Sequence, residues 1–330
     1  MKPILLTGDR PTGKLHLGHF IGSLRNRVAL QEKYTCYFIL ADLHTLTTRS
    51  GKDKIKQLPQ NIANILLDYL AVGIDPQKAV IYRQSLVPET AYLYLLLAMM
   101  VQVGRLERVP TLKDVMRDLK ISQPSLGLLS YPVLQAADIL LFKANLVPVG
   151  KDQAAHLEVA REIARKFNKD YGQVFPVPKP LIGGEQTLIG LDGKAKMSKS
   201  LDNCIYLSDN EQEVEQKVMS MYTDPKRIHA TDPGRVKGNP VFIYHDVFNV
   251  DKKQVADLKQ RYAKGRVGDV EVKQKLAKAL NDFLAPMRAR RQKYENNGKL
   301  LERIISQGSQ QAQQTAQATL AQVKTAMGLN

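Results

Sequence analysis

The stretch "TGDRPTGKLHLGHFIGSL" (Thr7 to Leu24) carries four glycines, one proline and two histidines three residues apart. A short apolar run, "KPILLT" (Lys2–Thr7), leads into it and has the make-up of a buried parallel strand. A helical pattern then runs from about Gly18 to Lys33. The stretch reads as a strand handing over to a helix through a glycine-rich turn. Gly8 and Gly13 permit backbone conformations that other residues resist. The helix start presents unpaired N–H groups and a positive dipole end to the carboxyl edge of the strand, where phosphate binds well. At spacing i, i+3, His16 and His19 project to one side of the turn. Each can donate a hydrogen bond to a phosphate or ribose oxygen. Gly18 leaves room for a flat adenine or a ribose against the backbone. The turn is a candidate nucleotide cradle that binds by shape and N–H donors. It is not a P-loop, because no "GKS" or "GKT" follows the glycines. Two ordinary surface histidines beside a turn give the same letters, so this stretch alone does not decide.

Outward from the turn, strand and helix alternate. "CYFILAD" (Cys36–Asp42) is a second strand, "AVIYRQS" (Ala79–Ser85) a third and "LVPVG" (Leu146–Gly150) a fourth. Helical patterns cover Asp53–Val72, Glu89–Val101, Ser130–Phe142 and Asp152–Phe167, with Pro59 kinking the first or marking its true start. Short links between alternating elements imply a parallel sheet with right-handed crossovers. The fold class expected is α/β, a doubly wound parallel sheet whose ligands sit at the carboxyl ends of the strands. After about Tyr206 the strand signal fades. Gln212–Tyr222, Val255–Tyr262, Val270–Glu295 and Gln310–Met327 are expected to be helical. No internal repeat is present.

The chain has 330 residues and 48 Lys and Arg against 32 Asp and Glu, a formal charge of +16. From Lys252 to Arg303 there are fifteen basic and six acidic residues. Such a surplus attracts polyanions, nucleic acid among them, although solvated helices of a basic protein would look similar. The longest apolar stretch, Tyr92–Val101, is too short to span a bilayer, so no membrane association is expected. "MKPILLTGDR" lacks a secretory h-region, and the place expected is the cytoplasm. Cys36 and Cys204 stand alone and read as free thiols.

The second motif is "KAKMSKS" (Lys194–Ser200) on a glycine-bounded loop. Three lysines and two serines in seven residues make a cationic clamp suited to a leaving pyrophosphate. With "HLGH" after the first strand and "KMSKS" after the mixed region, the chain resembles class I aminoacyl-tRNA synthetases. Within them it is most similar to the bacterial tryptophanyl-tRNA synthetase family, over essentially the whole chain. "AVGIDPQKAVIYRQS", "GRLERVPTLKD", "YPVLQAADILLFKANLVPVGKDQAAHLEVAREIARKFN" and the closing "AMGL" carry that resemblance.

The resemblance implies a Rossmann-like, HUP-type catalytic domain over 1–205, with a helical insertion at about 102–130. It implies a helical anticodon-binding domain over 206–309, with a C-terminal helix of about 310–330 packing back. The implied substrates are L-tryptophan, ATP and tRNA(Trp), with Mg2+ held by ATP rather than by a protein cage, and the implied assembly is a homodimer. The interface is expected on the helices near Glu89–Val101 and Ser130–Phe142. His16, His19, Lys196 and Lys199 are implied to stabilise transition-state charge. Arg10, Pro11, Thr12, Gly18, Gly150, Lys151, Asp152, Leu188, Met197, Ser198 and Ser200 are implied to join His19 and the two lysines at ATP. Asp138 is implied to accept the indole N–H, Tyr131 and Gln153 to hold the amino group, and His44 and Leu6 to flank the ring. A buried carboxylate at a pocket base does need a donor, and the indole nitrogen is donor only. Without the resemblance, Asp138 reads as a helix residue paired with a nearby lysine such as Lys143. Arg10, Gln135 and His19 stand where many family members have glutamine, methionine and asparagine. The first adds fixed charge near the phosphates, and the second makes the indole wall more polar. "RARRQK" (Arg288–Lys293) is expected to hold tRNA phosphates. A tyrosyl enzyme with the same two motifs and a catalytically silent tRNA-binding paralogue remain alternatives at this point. So does a smaller nucleotidyltransferase with an HxGH turn, although such chains lack the long basic helical region.

Overall fold

The computed structural model describes residues 2–150, 154–181, 187–229 and 231–329. Its centre is a five-stranded parallel sheet built from β1 (Ile4–Asp9), β2 (Thr35–Leu40), β3 (Ala79–Arg83), β4 (Leu146–Pro148) and β5 (Lys179–Leu181). The order is β3-β2-β1-β4-β5. The chain therefore winds outward from β1 in one direction, then returns to β1's other side. The crevice above β1 and β4 is the switch point where such sheets bind ligands. β5 was not expected. "KPL" has no strand signature of its own and is extended because Leu146, Val147 and Pro148 pair with it.

Helices fill the crossovers. α1 (Leu17–His19), a π-helical turn (Phe20–Leu24) and α2 (Arg25–Leu30) form one continuous rod in place of the single helix expected. The amide of Arg25 reaches back to the Phe20 carbonyl, and the widened turn still buries Phe20, Ile21 and Leu24. α3 (Asp42–Leu46) leaves β2 directly. The helix expected from Asp53 divides into α4 (Lys52–Lys56) and α5 (Leu58–Val72). Pro59 sits in the first turn of α5, where the missing N–H costs nothing. β3 is shorter than expected because Gln84–Leu86 turn into a 3-10 helix. α6 (Glu89–Ala98), α7 (Val103–Glu107), α8 (Pro110–Asp118), α9 (Leu126–Leu141) and α10 (Ala154–Tyr171) complete this half.

The second half is helical: α11 (Glu211–Met219), α12 (Pro240–Phe248), α13 (Lys252–Ala263), α14 (Asp269–Glu295) and α15 (Gly298–Met327). α12, "PVFIYHDVF", was not expected. It is apolar nearly all round because it is buried, and Asn239 caps it by accepting from the Val241 amide.

Strand alternation divides the core in two. Leu5, Cys36 and Phe38 face the layer that holds α5, α11, α12 and α14. Leu6, Tyr37 and Ile39 face the layer of α6, α9 and α10. α15 spans both. Leu301 and Ile304 near its start join the first core, while Ala312, Ala316 and Val323 join the second. It therefore passes around the outer edge of β3. A Cβ on Gly308 would lie 1.9 Å from the Ile81 carbonyl oxygen, so only glycine fits there. The Ser309 hydroxyl accepts the Arg83 amide at 3.1 Å. The exposed edge of the sheet is thus covered by a helix of small residues. No described helix is long and apolar enough to cross a membrane.

Candidate active site

β1 ends in Gly8 and Asp9 against β2. A Cβ at Gly8 would stand 2.0 Å from the Ile39 carbonyl oxygen, so this glycine serves close strand approach. Gly13, with φ of 123°, is the one that serves unusual conformation. Arg27 donates to Asp9 at 2.6 Å and to the Gly8 carbonyl at 3.2 Å, and the Tyr69 hydroxyl donates to Asp9 at 2.6 Å. Burial pushes the Asp9 carboxyl up, but Arg27, His19 and Tyr69 together hold it below its ordinary value.

The turn itself is held from the far end of the chain. The Leu15 amide donates to Asp68 at 2.8 Å, and the other oxygen of Asp68 takes Arg291 of α14 at 2.5 Å. Backbone bonds from Leu207 to Leu15 and from Leu17 to Ile205 clamp His16 from both sides. The rings of His16 and His19 stand 3.8 Å apart. The His16 amide donates to Nδ1 of His19 at 3.2 Å, which leaves Nε2 of His19 to carry the proton. Burial, His19 and the nearby lysines push the His16 pKa down to about 2. Burial outweighs Asp9 and takes His19 down to about 4. Both are neutral hydrogen-bonding groups at neutral pH. Nδ1 of His16 is buried without a hydrogen-bond partner among the described residues. A Cβ on Gly18 would sit 3.0 Å from the His16 ring and 3.5 Å from Met197. This glycine therefore makes room for the protein's own side chains, a reason the sequence did not suggest.

The lysine loop packs onto this turn. Met197 is buried, and its sulfur accepts the Gly18 amide at 3.2 Å. Lys199 donates to the Thr12 hydroxyl at 3.3 Å and the Gly13 carbonyl at 3.2 Å. Lys196 is exposed. The Ser198 amide is fixed by Asn203 at 2.8 Å, and the hydroxyls of Ser198 and Ser200 lie 2.9 Å apart. A cavity of about 600 Å³ is lined by Thr12, His16, Gly18, His19, Arg49 and the segment 195–201. Among the described residues, no carboxylate lines it.

A second cavity of about 620 Å³ adjoins the first, sharing Ser23 in its wall. Leu6, Arg10, His44, Tyr131, Gln135 and Asp138 line it, with Gly150 at the end of β4. Asp138 is 2% exposed. It receives Nε2 of His44 at 2.8 Å and Nε2 of Gln84 at 3.0 Å to each oxygen. Burial raises its pKa, and the bonds from His44 and Gln84 oppose that rise. Lys143 is not its partner; that lysine meets Gln322 at 2.5 Å. The Tyr131 hydroxyl donates to Thr111 at 3.2 Å and lies 2.6 Å from Nε2 of His156. Arg10 lines the same cavity and donates to the Thr48 hydroxyl.

Most of the expected residues are thus brought together, two groups of them are not, and a third cannot be placed. Leu188 and Pro11 are buried and line neither cavity; only the Leu188 carbonyl approaches the loop, accepting from Met197 at 2.9 Å. Lys151, Asp152 and Gln153 lie outside the described residues. The arginines of "RARRQK" are turned inward. Arg288 donates to the Asp209 carbonyl at 2.8 Å, Arg290 to the Ala71 carbonyl at 2.6 Å and Arg291 to Asp68. They brace α14 against the rest of the chain instead of offering charge to solvent. Gln84, Asp68, His156 and Thr111 were not foreseen, and no local pattern marks them.

A switch-point crevice with an amino-acid-sized polar pocket beside a cation-lined chamber is the layout of an amino-acid-activating enzyme. The family model for class I tRNA synthetases (W and Y) matches residues 1–285, and the chain belongs to that family. It is 54% identical over 326 residues to the tryptophan–tRNA ligase of Treponema pallidum, covering 99% of this chain and 97% of that one. The tryptophan–tRNA ligase of Borreliella burgdorferi is 51% identical over 100% and 94% of the two chains. Among solved structures, the Campylobacter jejuni tryptophanyl-tRNA synthetase complexed with ADP and tryptophan matches with a TM-score of 0.89. It is 35% identical, over 99% of this chain and all of that one.

Proposed function

We propose that the chain ligates L-tryptophan to tRNA(Trp) in two steps. The tryptophan carboxylate attacks the α-phosphate of ATP, tryptophanyl-adenylate forms, and pyrophosphate leaves. A terminal ribose hydroxyl of tRNA then takes the aminoacyl group. The observation that carries this reading is Asp138. It is a buried carboxylate with one hydrogen-bonding site left over, at the base of a cavity that opens beside the His16–His19 turn. A ligand with a single N–H and a large flat ring suits it. The full-length similarity to tryptophan–tRNA ligases supports the same substrate.

The neutral rings of His16 and His19 donate to phosphate oxygens, and Lys196 and Lys199 meet the charge that builds on the leaving group. Losing one such donor costs about 3 kcal/mol of barrier. No protein nucleophile is needed, since substrate and ATP supply both reacting groups. Tyr131 and Gln153 receive the ammonium, and Lys151, Asp152 and Gly150 the ribose. Mg2+ bound with ATP would supply charge neutralisation at the phosphates, with no described cluster of protein ligands to hold it. The helical region of 206–309 binds the anticodon end of tRNA in the cytoplasm. Two copies pair through α6, whose Tyr92, Leu95 and Met99 form one face that is 45%, 54% and 74% exposed. α9, the other helix expected at that interface, is mainly core.

The test is exchange of labelled pyrophosphate into ATP, run separately with tryptophan, tyrosine and the other amino acids. Exchange with tryptophan alone is expected. Exchange with tyrosine alone would keep the chemistry and overturn the substrate.

A further inference from the structure

Arg49 has no place in the scheme so far. It follows α3, its backbone amide accepted by the Thr45 carbonyl at 3.0 Å. Its side chain is exposed and makes no ion pair with a described residue. It nevertheless lines the 600 Å³ cavity of the lysine loop, alongside Lys196, Lys199 and His16, and Nδ1 of His16 is buried there without a hydrogen-bond partner among the described residues. Its neighbour Thr48 holds Arg10, which lines the cavity that contains Asp138. Arg10 also lacks a carboxylate partner among the described residues. Burial and the facing charge of Arg49 both press its pKa below the ordinary value. Lys199 feels the same pressure, from burial first and from Arg49 after partial relief by Asp9.

The charge is unevenly distributed between the two chambers. Asp9, Asp114, Asp118 and Asp138 line the pocket of His44 and Tyr131, whereas the lysine-loop cavity has three cations and, among the described residues, no carboxylate. Like charges held together without a counter-ion cost free energy that a polyanion would recover. A guanidinium adds a planar fork that grips two oxygens of one phosphate group, which an ammonium cannot do.

We infer that Arg49 is a phosphate-binding residue, gripping the β- and γ-phosphates of ATP and the pyrophosphate they become. The inference rests on the amino-acid activation proposed above and adds a residue that neither sequence motif contains. α3 gives it a further property. His44, on α3, touches Asp138, and Arg49, five residues on and just past the end of that helix, lines the lysine-loop cavity. The floor of the amino-acid pocket and the phosphate chamber therefore share a support.

The experiment compares wild type, Arg49→Gln and Arg49→Lys in tryptophan-dependent pyrophosphate exchange, with the KM for pyrophosphate, ATP and tryptophan measured separately. Arg49 is exposed, so the variants are expected to fold. The glutamine variant is expected to raise the KM for pyrophosphate tenfold or more and leave the KM for tryptophan within twofold, with lysine intermediate. A pyrophosphate KM within twofold of wild type in Arg49→Gln would overturn the assignment while wild-type exchange upheld the function. If wild type shows no exchange with any amino acid, the functional reading falls separately. Calorimetric titration with inorganic pyrophosphate then decides Arg49: tenfold weaker binding to Arg49→Gln supports the assignment and equal binding refutes it.

Discussion

Replacing Asp138 by asparagine changes one atom in a fully formed network, and its effect can be worked out in advance. The carboxylate has about four lone-pair sites. His44 uses one, and Gln84 uses one on each oxygen. One remains, on a residue that lines the cavity. The asparagine amide keeps a single accepting oxygen and sets an NH2 against the donors of His44, Gln84 or the ligand. Binding should then lose a hydrogen bond to a charged acceptor, about 1.5–3 kcal/mol, or roughly 10- to 150-fold in affinity. The chain contains no tryptophan, so tryptophan emission in a titration comes from the substrate alone, and fluorescence anisotropy reads binding directly without ATP. The benzothiophene analogue, in which sulfur replaces the N–H, completes a cycle. It should bind wild type 10-fold or more weaker than tryptophan does and distinguish Asp138→Asn from wild type by less than threefold. If the variant, folded by circular dichroism, binds tryptophan within twofold of wild type, the assignment of Asp138 to the indole nitrogen is wrong.

Arg291→Met removes the partner of a fully buried carboxylate, Asp68, and should cost about 3–5 kcal/mol in urea unfolding; a loss under 1 kcal/mol would show the pair to be dispensable. Gly308→Ala would gain about 1 kcal/mol at an ordinary helix position, but here the new methyl meets the backbone of Ile81. Net destabilisation of at least ~1 kcal/mol is expected, and a stabilised variant would refute the contact. His16 titrates near 2 in the fold and near 6.5 when unfolded. As pH falls below 6.5 the unfolded chain takes up the proton first, so stability is full above that value and drops as pH falls toward 2, by up to ~1.4 kcal/mol per unit. His16→Asn should flatten the fall between pH 6.5 and 4.5; an unchanged slope would mean the ring is solvated.

How much of this was readable depended on how local the cause is. The first turn was legible because an apolar run, glycines and histidines lie within one short stretch. β5 was not, since three residues containing proline become a strand only beside β4. α12 hid its period by being apolar all round. The arginines of "RARRQK" misled for a related reason: charge counts treat arginine as facing water, whereas Arg291 meets an aspartate 223 residues earlier. At the site, His16, Lys196 and Lys199 announce themselves by motif. The role proposed for the pocket around Asp138 was reached only through family resemblance, and Gln84, which fixes Asp138 from 54 residues away, had no local signal at all.

The helix that covers β3 sets a timetable. Ser309 follows Arg83 by 226 residues, which at ribosomal speeds is a delay of roughly 10 to 45 seconds. For that interval a nascent chain holds β2 and β3 with the outer row of backbone groups open, a template for pairing with a neighbouring polypeptide on the same message. Slowing elongation would lengthen the vulnerable interval, and aggregation during synthesis should rise with it even though the finished protein is unchanged.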